Sequence, residues 1–328
     1  MSRLRTGVIG VGRIGSQHAR LLADTPDGEL VGVFDISEER GNEIASEYGT
    51  RHFESAGELC DAVDAVVIAV PTSSHHEVGM TAVEAGCHMM IEKPLASTLM
   101  EADLLVDAAE SHELVLGVGH IERFNGAIRA SEPYLDDPRF IESLRLAPFQ
   151  PRGTDVTVIL DLMIHDIDLV LGLVRCPVAE VQAVGVPVLT QMTDIANAHL
   201  VFSNGAVADI TASRVADVTI RRLRLFQHSG FISLDLAKRE GSYQRARSNG
   251  EVEGLAEVDT RLGDVLESVS LHGDGQEALR LELEGFLRAI NGDPSACVTG
   301  RDGRAALEVA ERISRAVEGA ADVPLKTA

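Results

Sequence analysis

The chain of 328 residues contains little of several residue types that define other protein classes. It has no tryptophan, 4% aromatic residues, and only four cysteines, Cys60, Cys87, Cys176 and Cys297, at unpaired spacings. This cysteine usage predicts neither a disulfide framework nor a zinc site, and it favours a reducing, cytoplasmic location. Apolar runs are short as well. None reaches the roughly 18 residues of a membrane span, so a membrane-inserted or secreted protein is not expected.

Positive charge is also scarce. The sequence has 29 basic and 51 acidic side chains, which gives a net charge of −22 with histidine neutral. A surface of this sign repels phosphate backbones and anionic lipids, so we expect neither nucleic acid nor a membrane as a partner. Only three of the basic side chains are lysines, Lys93, Lys238 and Lys326. Because arginine supplies the other cations, the position of each lysine is informative.

The hydrophobic pattern changes near residue 119. Before it, short β-rich runs alternate with helical patterns, which is typical of a parallel, doubly wound sheet. After it, alternating runs follow one another through short turns such as 203–205, which predicts antiparallel hairpins. We therefore predict an α/β fold, with a Rossmann domain over 1–119 and an α+β domain over 120–328 that contains a large, mostly antiparallel open sheet. The acidic stretch 250–267 is predicted to be a solvated loop or lid.

A glycine-rich motif, Gly10-Val11-Gly12-Arg13-Ile14-Gly15, follows the first predicted strand and opens a helix. Its glycines permit a tight turn and a close approach to a pyrophosphate, whose charge the helix N-terminus attracts. The second strand ends in Asp35, which would accept ribose hydroxyls and repel the extra phosphate of NADP. The motif thus favours NAD over NADP, although Arg40, one turn into the next helix, could reach back. An Asp35 that only caps that helix is the alternative.

The carboxyl ends of the third and fourth predicted strands carry further cofactor candidates, because ligands of doubly wound sheets bind at that edge. Lys93 precedes a proline, which either holds it in an extended conformation or joins it through a cis peptide bond. Either arrangement would aim the Lys93 ammonium into the crevice. The alternatives are a lysine that only pairs with its neighbouring acid, a threonine that only caps a helix, and a solvated histidine. The candidates are Val70, Pro71, Thr72, His75, Glu92 and Lys93.

Polar residues recur at regular spacings within the otherwise apolar segment 158–174. Spacings of four, three and four residues place this polar set on one stripe of a predicted buried helix: Asp161, His165, Asp168 and Gly172. Burying ionisable groups is costly unless they are paired, so the stripe must face a polar cavity or pair within itself. A purely structural network is the alternative.

Together with Lys93, this polar set predicts the oxidation of a secondary alcohol. His165 is the candidate general base for the hydroxyl proton, Asp161 would orient the imidazole, and Lys93 would stabilise the developing alkoxide. Hydride transfer with these residues needs no metal, and no further cluster of metal ligands is present in the sequence. NAD is therefore the only cofactor that we predict.

These motifs together resemble the glucose-fructose oxidoreductase / inositol dehydrogenase / MocA family over essentially the whole chain. The resemblance rests on the glycine motif, Pro71-Thr72 with His75, Glu92-Lys93-Pro94, the pair Asp161 and His165 with Asp168, and the helix after Gly303. It implies a Rossmann domain followed by a domain whose open sheet face usually forms dimers or tetramers. It also implies that Lys93, Asp161 and His165 are the catalytic residues.

Three segments, 119–125, 151–156 and 161–168, are similar to the UDP-N-acetylglucosamine 3-dehydrogenase-like branch of that family. We therefore predict an NAD-dependent oxidoreductase that takes a hydride from a secondary alcohol of a nucleotide sugar. The alternatives are a dehydrogenase of a free sugar or inositol, and a non-catalytic NAD or sugar sensor on the same scaffold. The resemblance implies these substrate contacts: Lys93, Arg123, Asn125, Arg152, Asp161, His165 and Asp168. For the two arginines and the asparagine, the alternative is that they are ordinary surface and turn residues.

The charge is unevenly distributed. Residues 1–120 carry 7 basic and 20 acidic side chains, a net of −13, so backbone N–H groups must do much of the phosphate binding. Residues 211–247 carry 8 basic and 3 acidic side chains, a net of +5, and Arg222 and Arg224 share one sheet face. We predict that this basic face is buried between subunits, or against acidic segments of a neighbour, in a homodimer or homotetramer.

Overall fold

A computed structural model describes residues 3–150, 156–247 and 266–321. The chain divides into two compact units: Met1–Phe124 with Glu277–Glu308, and Asn125–Gln276 with Val309–Ala328. The domain boundary expected at 119/120 stays a prediction. The contacts add that a C-terminal segment of the chain returns to the first unit. No helix of the described residues is long and apolar enough to span a bilayer.

The first unit contains a six-stranded parallel sheet. Its strands are β1 (Leu4–Ile9), β2 (Gly28–Phe34), β3 (Arg51–His52), β4 (Ala65–Ile68), β5 (His88–Glu92) and β6 (Leu116–Gly119). They lie in the order β3-β2-β1-β4-β5-β6, and every neighbouring pair is parallel. The strand order reverses between β1 and β4, which is the point where doubly wound sheets bind ligands.

Helices follow the strands of this unit and supply its core. They are α1 (Arg13–Asp24), α2 (Glu38–Glu47), α3 (Ala56–Ala62), α4 (His75–Glu84), α5 (Leu99–Ser111) and, after the second unit, α8 (Ala278–Ile290), with short 3-10 turns at Thr72–Ser74, Ile121–Phe124 and Pro294–Ala296. Local sequence starts several of them: Ser37 caps α2, and Thr98 forms a capping box with Glu101 at α5. Leu283 and Phe286 of α8 pack in the same buried cluster as Val8 of β1, which explains why α8 belongs to this unit.

The second unit contains an eight-stranded sheet. Its strands are β7 (Phe140–Leu146), β8 (Val178–Val186), β9 (Ile195–Phe202), β10 (Val207–Ser213), β11 (Ile220–Gln227), β12 (Gly230–Asp235), β13 (Glu240–Ala246) and β14 (Leu266–His272). The order is β14-β13-β12-β11-β7-β10-β9-β8, and β7 with β10 is the one parallel pair among these. The predicted fold class is therefore confirmed.

Helices cover one face of that sheet. They are α6 (Gly126–Ser131), a 3-10 turn at Glu132–Tyr134, a π-helix at Ile159–Met163, α7 (Ile164–Val174), and the end of α9 (Gly300–Ala321), which begins in the first unit. Strand residues alternate between a buried and a half-exposed face, as in β7, where Ile141 is buried and Phe140 is not. The loop predicted over 250–267 lies outside the described residues except at its end, where Leu266 and Glu267 belong to β14.

Candidate active site

The glycine motif forms the turn between β1 and α1. Gly10 has a φ of 83°, a conformation that favours glycine, and a Cβ there would lie 2.8 Å from the Ala69 carbonyl oxygen. A Cβ on Gly15 would lie 1.8 Å from the Gly10 oxygen, so α1 packs directly on the turn. A Cβ on Gly12, by contrast, would meet nothing within 4 Å. These three positions match the three roles that the motif assigns to its glycines.

The start of α1 fits a phosphate-bearing cofactor. Gly12, Arg13 and Ile14 are exposed, and α1 begins without a side-chain cap from Gly12. The first N–H groups of the helix therefore face open space beside Gly12, which is where a bound pyrophosphate would accept them. The net charge of −13 in residues 1–120 makes this backbone source of positive potential important.

Asp35 follows β2 and reaches the glycine loop. Its Oδ2 accepts the N–H of Val11 at 2.8 Å, and its Oδ1 accepts the N–H of Ser37 at 2.9 Å. A carboxylate has further lone pairs that can accept ribose hydroxyls. Arg40 does reach back, because its Nε donates to the carbonyl oxygen of Val11 at 2.9 Å. The acid and the arginine that bear on cofactor choice therefore contact the same loop residue.

The edge after β4 is held by a buried histidine. Val70 and Thr72 are half-buried and Pro71 is exposed. His75 is 1% exposed, with Nδ1 2.8 Å from the Pro94 oxygen and Nε2 3.0 Å from the Val70 oxygen. Burial lowers its pKa. The alternative of a merely solvated His75 is therefore wrong, and the side chain joins the β4 edge to the turn after β5.

That turn carries Lys93, which is half-buried and joined to Pro94 by a cis peptide bond. Glu92, the last residue of β5, points inward, with its Oε1 2.8 Å from the Nε2 of His18 on α1. Burial alone would raise the pKa of Glu92, but the contact with His18 and the charge of Lys93 outweigh burial and lower it. Sequence reasoning missed His18. The pattern that could have identified it is a histidine on the buried face of α1, among Gly15, Ala19 and Leu22.

In the second unit, the polar set of 158–174 divides between two helical forms. Asp161 lies in the π-helix and His165 in the first turn of α7. The prediction of one α-helical stripe is therefore wrong at Asp161, because a spacing based on 3.6 residues per turn applies only after the π-helix. Asp168 is fully buried, whereas Asp161 and His165 are half-buried. The prediction that this segment is largely buried is confirmed.

A buried ion pair that the sequence analysis did not single out holds α7 on the sheet. Asp166, next to His165, accepts three hydrogen bonds: from Nε of Arg145 at 2.6 Å, from Nη2 of the same arginine at 3.1 Å, and from the Ser143 hydroxyl at 2.9 Å. Both charged side chains are at most 3% exposed. The polar residues on the buried face of β7 weaken its apolar alternation, so the strand and its arginine were not predicted.

Two of the predicted substrate contacts, Arg123 and Asn125, have protein partners in the structure. Arg123 of the first unit has Nη2 3.7 Å from an oxygen of Asp302. Asn125 caps α6 through the N–H of Ala127 at 3.0 Å and donates to the Leu236 oxygen at 2.9 Å, so its amide has a structural role. Arg152 lies outside the described residues. A substrate contact at each of the three stays a prediction.

A parallel sheet with a glycine loop at its switch point and an acid after the second strand defines a dinucleotide-binding protein of the Rossmann class. Two family models match the chain: the oxidoreductase family with an NAD-binding Rossmann fold over residues 4–120, and the GFO/IDH/MocA C-terminal domain over residues 126–233. The chain belongs to the GFO/IDH/MocA oxidoreductase family. The resemblance stated from the motifs is thereby confirmed.

Individual relatives match the chain along its length. It is 40% identical over 319 residues to UDP-N-acetylglucosamine 3-dehydrogenase of Acidithiobacillus ferrooxidans, covering 97% of this chain and 98% of that one. It is 25% identical to scyllo-inositol 2-dehydrogenase (NAD(+)) of Bacillus subtilis, covering 94% and 92%. A solved structure of the Acidithiobacillus enzyme has a TM-score of 0.90 at 38% identity, covering 98% of this chain and 100% of that one.

A further solved structure, levoglucosan dehydrogenase in complex with NADH, shares the fold with a TM-score of 0.83 at 19% identity, covering 97% and 98%. The predictions of an NAD cofactor and of a dehydrogenase acting on a CH–OH group are confirmed. Because these relatives are dehydrogenases, they do not support the alternative of a non-catalytic sensor. The cytoplasmic location and the oligomeric state stay predictions.

Proposed function

We propose that this protein oxidises the 3-hydroxyl group of a UDP-N-acetylhexosamine, with UDP-N-acetylglucosamine as the first candidate substrate. The observation that carries this proposal is the 40% identity to UDP-N-acetylglucosamine 3-dehydrogenase over nearly the whole of both chains. Inositol dehydrogenases match at lower identity, 25% for the Bacillus subtilis enzyme. The nucleotide sugar is therefore favoured over a free sugar or an inositol.

The cofactor site is assigned to the first unit. The N–H groups at the start of α1 would hold the pyrophosphate, and Asp35 would accept the ribose hydroxyls. Val70, Pro71, Thr72 and Lys93 follow the strands at the same edge of the sheet. NAD, when bound, supplies the hydride acceptor. His75 and Glu92 support this edge from inside, through Pro94 and His18.

The catalytic roles are assigned to Lys93, Asp161 and His165. Oxidation of the alcohol removes two electrons and a hydrogen nucleus from carbon as hydride, and the hydroxyl proton leaves to a base. His165 takes that proton, since histidine is the usual general base near neutral pH. Asp161 orients the imidazole. Lys93 donates a hydrogen bond to the oxygen as negative charge develops on it, and the products are a ketone, the reduced cofactor and a proton.

The test is a substrate panel with NAD and the full chain. We expect reduced nicotinamide to form with UDP-N-acetylglucosamine, but not with N-acetylglucosamine or myo-inositol at the same concentration. Trapping the product with borodeuteride should place deuterium at carbon 3. Turnover with myo-inositol or the free sugar but not with the UDP-sugar would contradict the proposal, and so would deuterium at another carbon.

The role of Lys93 is tested in the same assay. Lys93→Met should lower turnover at least about a hundredfold, because it removes a donor to the developing charge. Lys238→Met is the matched control, because Lys238 is an exposed lysine with acidic neighbours in the second unit. Equal turnover in the two variants would overturn the assignment of Lys93.

A further inference from the structure

Arg40 and Glu43 form a charged pair beside the proposed ribose site. Both lie on α2, which begins directly after the Asp35 turn. The Nη1 of Arg40 donates to Oε2 of Glu43 at 2.5 Å, while its Nε donates to the Val11 oxygen at 2.9 Å. The guanidinium therefore lies against the glycine loop, with one of its edges in contact with a carboxylate of the protein.

Val11 connects this pair to Asp35. The N–H of Val11 donates to Asp35 at 2.8 Å, and the carbonyl oxygen of Val11 accepts from Arg40. Asp35 and Arg40 thus hold the residue between Gly10 and Gly12 from its two backbone groups. Any ribose that Asp35 accepts lies close to the guanidinium of Arg40.

This proximity bears on which dinucleotide the site accepts. NADP differs from NAD by a phosphate on the adenosine ribose, and an arginine near the acid of the second strand accommodates that phosphate in NADP-binding sheets. Arg40 has the position and the charge for this contact. Its partner Glu43 makes the local sum of Asp35, Arg40 and Glu43 one negative charge, which opposes an arriving phosphate.

We propose that Glu43 is a specificity-determining residue for the cofactor. By pairing with Arg40 it occupies the guanidinium edge that would otherwise bind a 2′-phosphate, and so favours NAD over NADP. The inference rests on the dinucleotide site assigned above to the glycine loop. It does not depend on which sugar is oxidised.

The exposure of the pair indicates that it contributes little to folding. The side chains are 34% and 61% exposed for Arg40 and Glu43, and ion pairs as exposed as this contribute little to stability. Glu43→Gln, which keeps the shape and removes the charge, should therefore leave the thermal midpoint of the protein unchanged. An effect of that variant on dinucleotide binding is then not a consequence of damaged structure.

The experiment measures dissociation constants of NADH and NADPH by fluorescence titration of the full chain. In Glu43→Gln we expect the ratio of the dissociation constant of NADPH to that of NADH to fall about tenfold. The reason is that Arg40 becomes available for one charge-assisted contact with the 2′-phosphate. Glu39→Gln is the matched control, because it removes the same charge from an exposed position of the same helix. Its ratio should stay within about twofold of the unchanged protein. Adding Arg40→Ala to Glu43→Gln should restore the original ratio.

Three results would overturn the inference: an unchanged ratio in Glu43→Gln, an equal fall in Glu39→Gln, or a fall that persists without Arg40. The second would assign the effect to net charge and the third to another cation. A different result tests the proposed site itself. If the unchanged protein does not bind NADH, then the dinucleotide site at the glycine loop is wrong, and this inference is overturned with it.

Discussion

At the scale of single residues, the side chains behind the proposed site are as informative as those that face it. His18 is fully buried and contacts Glu92, the residue before Lys93. Glu92 keeps a lowered pKa although burial alone would raise it. The interior pair thus joins α1, whose start is assigned to the pyrophosphate, to the turn that carries the proposed catalytic lysine.

The His18–Glu92 pair gives a stability prediction. His18→Ala should lower the free energy of unfolding by about 3 kcal/mol, because it leaves a largely buried carboxylate without its histidine partner. A lowered carboxyl pKa stabilises the fold above the ordinary glutamate pKa, and this contribution is lost as the pH falls through the folded value. The cost of the substitution should therefore be largest near neutral pH and shrink below about pH 4.

Urea unfolding at several pH values measures this cost. His228→Ala serves as the control, since His228 is exposed in the turn between β11 and β12, and it should change the free energy of unfolding by no more than about 0.5 kcal/mol. Similar costs for the two substitutions would show that the buried pair does not stabilise the protein.

At the scale of elements, α7 packs on β7 through a buried charged contact as well as through apolar side chains. Most of its residues are hydrophobic, and Ile164, Ile167 and Val170 are buried. Asp166 nevertheless points at β7 and pairs with Arg145. Asp166 directly follows His165 in the chain, so the pair lies next to the proposed general base.

The pair predicts a non-additive result. Arg145→Met should cost about 3 kcal/mol of unfolding free energy, because Asp166 remains buried as an uncompensated charge. The double variant Arg145→Met with Asp166→Leu should be more stable than that single variant, since apolar residues replace both charges. Chemical denaturation of both single variants and of the double variant tests this. A double variant that is no more stable than Arg145→Met, or whose cost equals or exceeds the sum of the two single costs, would contradict it.

At the scale of the whole molecule, the open face of the eight-stranded sheet combines aromatic and charged side chains. Phe140, Phe226 and Phe231 stack across β7, β11 and β12 with centroids 5.6 Å and 5.7 Å apart. On the same face Arg224 pairs with Glu142 at 2.8 Å, so part of the predicted basic surface is neutralised within the chain. Valines on β8 extend this face, with Val184 54% and Val186 48% exposed. The aromatic row and the exposed valines support the prediction of a homodimer or homotetramer.

The oligomer prediction is tested by light scattering after size-exclusion chromatography. The unchanged protein should elute as a dimer or tetramer, and Phe226→Asp should shift it towards the monomer by placing a charge in the aromatic row. Val218→Asp is the control, because Val218 is 57% exposed in the loop before β11. A monomeric unchanged protein, or equal shifts in both variants, would count against assembly through this face.

Predictions from sequence were best where the information is local. The glycine motif, Asp35 after β2 and the alternation of strands with helices lie within short stretches, and the structure has them as expected. The missed features are pairs between distant residues. His18 and Glu92 are 74 positions apart, and Arg145 and Asp166 are 21 apart.

The sequence by itself determined the class of fold and the NAD cofactor, because turn geometry, hydrophobic period and helix capping depend on neighbours in the chain. Only the tertiary structure decided that His75 is buried, that Asp161 lies in a π-helix, that α8 packs in the first unit, and that Arg40 reaches Val11. These outcomes depend on burial and on contacts across many residues. No local pattern encodes them, since the same side chain is stable in solvent or in the interior according to the partner that packing brings to it.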